Sequence, residues 1–287
     1  MTHAIPSAAA PPGPSAQAPA ALTARGVGLS FTGLRALDGL DFEIPAGGTS
    51  AVIGPNGAGK TTLFNCVSGL YRYEGDLVLH GRSLGRLRPH QRARLGVART
   101  FQTPALLDSE SALQNVALGA VAHSRVGVVH SMLATPRRRS EERDTLDRAY
   151  ALLERFGIAG LADRPTAGLA HGDRRRVEVA RALMSGPRLL MLDEPAAGLG
   201  AEEAQDLLRE VESHAGAGTT VLLVEHDVAL VMSVARRIVV LDSGRLLAVG
   251  TPDEVRADPR VVQAYLGADD ADEPAAERLH ALDEEQS

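Results

Sequence analysis

Three short apolar runs along the chain each stop at a polar turn. "TSAVIG" ends at residue 54, "RLLMLDEP" spans 188–195, and "TTVLLVEHD" spans 219–227. Continuous apolar runs of this length are the pattern of strands buried on both faces. Helical spacing separates them. "AEEAQDLLREVESHAGAG", 201–218, has apolar residues three and four apart and stops at glycines. Strands alternating with helices predict an α/β fold with a parallel sheet covered on both sides. Two regions read differently. Residues 22–48 and 73–83 alternate between glycine turns, as antiparallel strands do. Residues 104–185 hold no convincing buried strand, but carry helical patterns such as "RDTLDRAYALLERFGI". They predict a helical insertion between the first and second core strands.

The ends lack this periodicity. Residues 1–20 are rich in Pro and Ala and predict a disordered tail, and residues 268–287 predict a solvated acidic tail. One domain, 21–267, remains between them, with no internal repeat. Composition narrows the reading. Hydrophobic residues make up 44% of the 287, aromatics only 3%, and there is no Trp, so Ala, Val and Leu must build the core. Thirty Lys+Arg against 36 Asp+Glu argues against a general nucleic-acid binder, though a local basic patch stays open. A single cysteine, Cys66, excludes an intrachain disulfide framework and a multi-cysteine metal site. No stretch offers about 18 uninterrupted apolar residues. The most apolar region, 219–241, is broken by Glu225, His226, Asp227, Arg236 and Arg237. The N-terminus has no basic region and is cut by prolines, which makes a poor signal peptide. The expectation is a cytosolic chain that meets a membrane only through a partner.

The chemistry gathers where the apolar runs end. "GPNGAGKT", 54–61, fits G-x-x-x-x-G-K-[ST] directly after a strand pattern and before a helix pattern. Gly54, Gly57 and Gly59 let the backbone curl so that N–H groups point inward at phosphate. The helix start adds positive potential. Lys60 is placed to reach the β- and γ-phosphates, and the Thr61 hydroxyl to ligate Mg²⁺. The second run puts Asp193 at the C-terminal edge of a strand, where α/β proteins bind ligands, as a Mg²⁺ partner through water. Glu194 follows it as a candidate general base for the attacking water. His226 ends the third run. A lone histidine at a strand end is more often a surface residue. Beside two other chemically marked strand ends, it is a candidate for holding the water in line. Gln102, at the entry to the insertion, is by spacing alone more often ordinary than a contact to Mg²⁺ or water. Phe31 is either a core residue or a face for adenine. The run 174–176, "RRR", reads first as a solvated helix face.

In this order the elements resemble the ATP-binding subunits of ABC transporters, over about residues 22–266. The resemblance implies a P-loop ABC ATPase core with an antiparallel β subdomain and a helical insertion. It makes Gly54, Pro55, Asn56, Gly57, Ala58, Gly59, Lys60, Thr61 and Thr62 the phosphate loop, binding ATP and Mg²⁺. It makes Gln102 the glutamine loop, Asp193 and Glu194 the acidic strand end, His226 the switch histidine, and Phe31 the adenine-stacking aromatic. "LAHGD", 169–173, falls where the family has Leu-Ser-Gly-Gly-Gln. There, Ala170, His171, Gly172 and Asp173 would meet the nucleotide held by a second ATP-binding subunit, identical or paralogous. Ala170 lacks the serine hydroxyl, and His171 replaces a glycine. Asp173 brings a carboxylate that repels phosphate unless it points away or meets an arginine of 174–176. Gly200 stands where the family often has Asp or Asn.

Within the family, "ARTFQTPALLDSESALQNVALGA", "HGDRRRVEVARAL", "LDEPAAGLG" and the terminal "AYLG" resemble the branched-chain amino acid importer subgroup. That resemblance implies membrane permease partners, indirect work with a periplasmic or lipid-anchored solute-binding protein, and a place on the inner face of the membrane. No nucleic-acid partner is expected. The rival readings are a soluble ABC-type ATPase for cofactor or complex assembly, and a P-loop kinase.

Overall fold

The computed structural model describes residues 19–102, 105–123, 136–215 and 218–266. The tails read at 1–20 and 268–287 lie outside them, except for Pro19 and for Ala20, which opens the first strand. The chain begins with a hairpin of β1 (Ala20–Phe31) and β2 (Leu34–Pro45), then enters β3 (Gly48–Ile53) and α1 (Lys60–Ser68). Strands β4 (Glu74–Leu79) and β5 (Arg82–Ser83) return to the hairpin, and α2 (Pro89–Arg94) leads to β6 (Val97–Arg99). Helices α3 (Ala112–Ala117), α4 (Pro136–Arg155) and α5 (His171–Met184) follow. Next come β7 (Leu189–Asp193), α6 (Ala201–Ala215), β8 (Thr220–Val224), α7 (Val228–Val234) and β9 (Arg237–Asp242). Strand β10 (Arg245–Gly250) and helices α8 (Pro252–Arg256) and α9 (Pro259–Leu266) end the described chain.

The strands form two sheets. One is antiparallel in the order β2-β1-β4-β5, as the alternating segments predict. The other has the order β10-β9-β3-β8-β7-β6, with five parallel strands and β10 antiparallel at one edge. The expected α/β class therefore holds. The three apolar runs are β3, β7 and β8, side by side in the middle of this sheet. Their continuous apolarity has a direct cause. On β7, Leu190 and Leu192 pack into the cluster shared with the insertion helices, while Leu189 and Met191 pack into the cluster shared with α1 and the antiparallel sheet. Both faces are buried, so no polar alternation survives.

The sheet is wider than those runs suggest. Only three residues of β6 pair with β7, too few to carry a period. From the first core strand the chain passes through β4, β5, α2 and β6 before the insertion helices begin. Among the described residues, no helix is long and apolar enough to cross a membrane.

Candidate functional site

Strand β3 lies between β9 and β8, so its C-terminal end opens at the centre of the sheet. The turn from β3 to α1 uses backbone that only glycine adopts without strain. Gly54 has φ 151 and Gly59 has φ 102. A Cβ on Gly54 would lie 2.0 Å from the Leu241 carbonyl oxygen, and one on Gly59 would lie 2.9 Å from that of Ala36. The loop is thus pressed against β9 and β2. The first turn of α1 leaves backbone N–H groups without intrahelical acceptors, as every helix start does. The Lys60 ammonium folds back over the loop and donates to the carbonyls of Gly54 at 2.6 Å and Pro55 at 3.0 Å. Burial lowers its pKa, and the carboxylates of Glu194 and Asp193 work against that shift. It is the sole lysine in the sequence.

A cleft of about 720 Å³ runs along this loop, lined by 56–62 and by Phe31, Gln102, Glu194 and His226. Its size is that of a small-molecule site. Phe31 stands at one end, beside the two-residue hairpin turn Thr32–Gly33, whose φ values are 39 and 92. Both are positive, as the tightest hairpin turns require. Phe31 is 40% exposed, and its ring meets Tyr71 in a T-shaped contact at 5.2 Å. It is therefore a rim residue and not a core one. Arg35, which follows Leu34 on β2, lines the cleft on the Phe31 side, and Lys60 and Glu194 line it as well.

Within the cleft, Glu194 accepts from Gln102 Nε2 at 2.6 Å on one oxygen and meets His226 Nε2 at 2.7 Å on the other. Glu194 has φ 49, a strained value for a non-glycine residue. Its N–H donates to the Val224 carbonyl at 2.9 Å, which ties the turn after β7 to the end of β8. Asp193 sits behind it, 4% exposed, with Oδ2 at 2.6 Å from Arg99 Nη2. A Mg²⁺ ion prefers hard oxygen donors and keeps waters and phosphate oxygens in its shell. The Thr61 hydroxyl and the Asp193 carboxylate are donors of that kind, so the residues fit such an ion.

The segment 170–173 lies apart from this cleft, at the start of α5. Ala170 is the N-cap residue and makes no side-chain cap. His171 Nε2 is 2.9 Å from the Ala197 carbonyl. Asp173 is 4.0 Å from Arg176, which also lies 3.6 Å from Glu210. An arginine of 174–176 thus does face Asp173. The reading of that run as a solvated face is overturned. Arg175 is fully buried, and Arg174 donates to the Thr166 carbonyl at 2.6 Å and to Asp108 at 2.8 Å.

The family model described as "ABC transporter" matches residues 37–197, more than half of the chain. The chain belongs to the ABC transporter ATP-binding proteins. A second model, "Branched-chain amino acid ATP-binding cassette transporter", matches residues 245–271. A high-affinity branched-chain amino acid transport ATP-binding protein, LivG, of Salmonella typhimurium is 42% identical over 250 residues, 86% of this chain and 97% of that protein. Its counterpart BraF of Pseudomonas aeruginosa is 41% identical over 248 residues, again 86% and 97%. The crystal structure of a nucleotide-free ATP-binding cassette from an ABC transporter superposes with a TM-score of 0.75 at 28% identity, covering 86% of this chain and 99% of the other. CbiO1 of Clostridium perfringens gives 0.72 at 26% identity, covering 92% and 99%.

This ABC cassette is thus an ATPase. A soluble assembly ATPase is not favoured, because these relatives are transport proteins. Sequence reasoning missed three charged groups of the cassette. Arg99 contacts Asp193. The Arg175–Glu178 pair is buried within α5. Glu225 is buried, accepting from the backbone N–H of Ala196 at 2.7 Å and of His226 at 3.2 Å. Arg99 and Glu225 stand in the quoted motifs, three residues before Gln102 and one before His226. Adjacency was the available signal.

Proposed function

We propose that this chain is the ATP-hydrolysing subunit of an importer for branched-chain amino acids or a related small polar solute. One observation carries the reading. A single cleft brings together the phosphate loop, an aromatic rim and a carboxylate held between a glutamine and a histidine. The relatives named for branched-chain amino acid transport support the substrate class. The working partners are the permease subunits, on the inner face of the membrane. A second ATP-binding subunit, identical or paralogous, brings its own 170–173 segment to the nucleotide. A solute-binding protein acts from the far side.

In this reading Phe31 stacks on adenine, and the amides of 56–62 with Lys60 grip the phosphates. Thr61, Asp193 and Gln102 would hold Mg²⁺, which would supply neutralisation of phosphate charge. Glu194 takes a proton from the attacking water as its oxygen bonds to the γ-phosphorus and the bond to the β-phosphate oxygen breaks. With the carboxylate ionised, His226 Nε2 carries the hydrogen of their contact. That fixes the carboxylate orientation, and the ring is then placed to steer the water. Gln102 holds the second oxygen and reports closure toward the permease.

The test is co-purification of the full chain with its cognate membrane subunits, followed by phosphate release from ATP. Glu194→Gln is expected to retain MgATP binding while turnover falls by about 10²–10⁴-fold. Wild-type turnover in that variant refutes the assignment of the base. A chain that purifies with no permease refutes the importer.

A further inference from the structure

The side chain of Arg175 reaches no solvent, yet it ends among three backbone carbonyls. Nη1 donates to the carbonyl of Phe101 at 2.9 Å and to the Glu178 carboxylate at 2.8 Å. Nη2 donates to the carbonyls of Gln102 at 2.9 Å and Glu194 at 3.2 Å. Glu178 completes the arrangement by accepting the Phe101 N–H at 3.1 Å. Desolvating such a pair costs several kcal/mol, and well-packed apolar residues often serve stability as well or better. A flat guanidinium adds something that apolar packing cannot. Its fork bonds at once to two segments 92 residues apart in sequence, while its stem is fixed on a third. Those segments carry Gln102 and Glu194, and the strained backbone of Glu194 has Arg175 as a partner for its carbonyl.

We propose that Arg175 is a positioning residue for hydrolysis. It joins α5, the glutamine loop and the backbone of Glu194 into one mechanical unit, so that rotation of the insertion helices carries Gln102 and Glu194 together. The inference rests on the assignment of Glu194 as base. Arg175 touches no reacting atom and acts through the two backbones it holds.

The experiment uses the full chain in complex with its membrane subunits. Arg175→Lys keeps a charge beside Glu178 but cannot span the Gln102 and Glu194 carbonyls. It is expected to lower kcat by about ten- to hundredfold, the cost of slightly misplaced groups. The KM for MgATP stays within about twofold, because the phosphate loop is untouched. Amide hydrogen exchange should rise in peptides covering 99–102 and 194–196. An unchanged kcat, or a loss that only tracks the folded fraction, overturns the proposal. So does a raised KM at constant kcat. If Arg175→Lys does not fold, Glu178→Gln replaces it. That variant leaves the three carbonyl contacts and should lose only about two- to fivefold in kcat, a coupling of ordinary size. A larger loss with no change in exchange at 99–102 counts against the proposal. Full activity in Glu194→Gln would sink the base assignment, and the exchange data then decide the clamp alone.

Discussion

Removing the guanidinium of Arg99 while keeping its stem, as in Arg99→Met, strands a buried carboxylate. Arg99 and Asp193 side chains are 7% and 6% exposed, and their contact is 2.6 Å. The same guanidinium donates to Asn65 Oδ1 at 2.7 Å and Ser68 Oγ at 3.2 Å. It lies over the rings of Phe64 and Phe101, at 5.5 and 5.1 Å. Methionine can fill part of that slot between the rings, so the packing loss is small. The stranded charge outweighs it. Leaving one partner of a buried pair uncompensated costs about 3–5 kcal/mol. Unfolding entropy for a fold of this size is about 0.5 kcal/mol per kelvin, so the melting temperature should fall by about 6–10 °C. Adding Asp193→Asn removes the stranded charge, so the double variant should recover about 2–3 kcal/mol relative to additivity. The assay is far-UV circular dichroism on heating, without Mg²⁺, because the chain has no Trp for fluorescence. A single variant within about 1 kcal/mol of the parent would refute the reasoning, as would strict additivity of the pair.

Phe31→Ala should weaken MgATP binding about fivefold, near 1 kcal/mol, with the rate at saturation preserved, and equilibrium titration checks it. Gly59→Ala forces a Cβ to 2.9 Å from the Ala36 carbonyl oxygen at φ 102, so the loop must shift. It should lose roughly 1–3 kcal/mol of stability to strain, and in melting curves MgATP should no longer stabilise it. Burial raises the Glu225 carboxyl pKa, against the pull of its two backbone N–H donors. The folded chain therefore holds that proton to higher pH than the unfolded one. The stability it adds is present at acid pH and lost as pH rises through the folded pKa. Relative to Glu225→Gln, the parent should lose stability as pH climbs above the ordinary glutamate range. A gap that widens in the parent's favour would contradict this.

What could be read from the sequence was what repeats or what binds. The runs of β3, β7 and β8 were legible because burial on both faces removes every polar residue from them. The hairpin of β1 and β2 was legible because its glycine turns are spaced along an alternating pattern. Strand β6 was not, since three residues carry no period and its place at the sheet edge is set by pairing with β7. The glycine loop at 54–59 was legible because its close approach to the backbone of β9 and β2 demands glycine at fixed spacing. Arg175 was hidden for the opposite reason. Three adjacent arginines look like a solvated face, and only the return of the chain at 101–102 and 194 supplies carbonyls that let one of them be buried. Arg99 shares that origin, because its partner Asp193 is distant in sequence and close only across β6 and β7.

The claim at the centre of this account is that the loop 54–61 clasps a triphosphate with Lys60 over it. Because Lys60 is the sole lysine, full-length protein labelled with ¹³C and ¹⁵N only at lysine gives one side-chain signal. On titration with MgATP that signal should shift and saturate, as the ammonium leaves the Gly54 and Pro55 carbonyls for phosphate oxygens. A lysine signal that stays fixed while MgATP is brought far above cellular concentrations would contradict it.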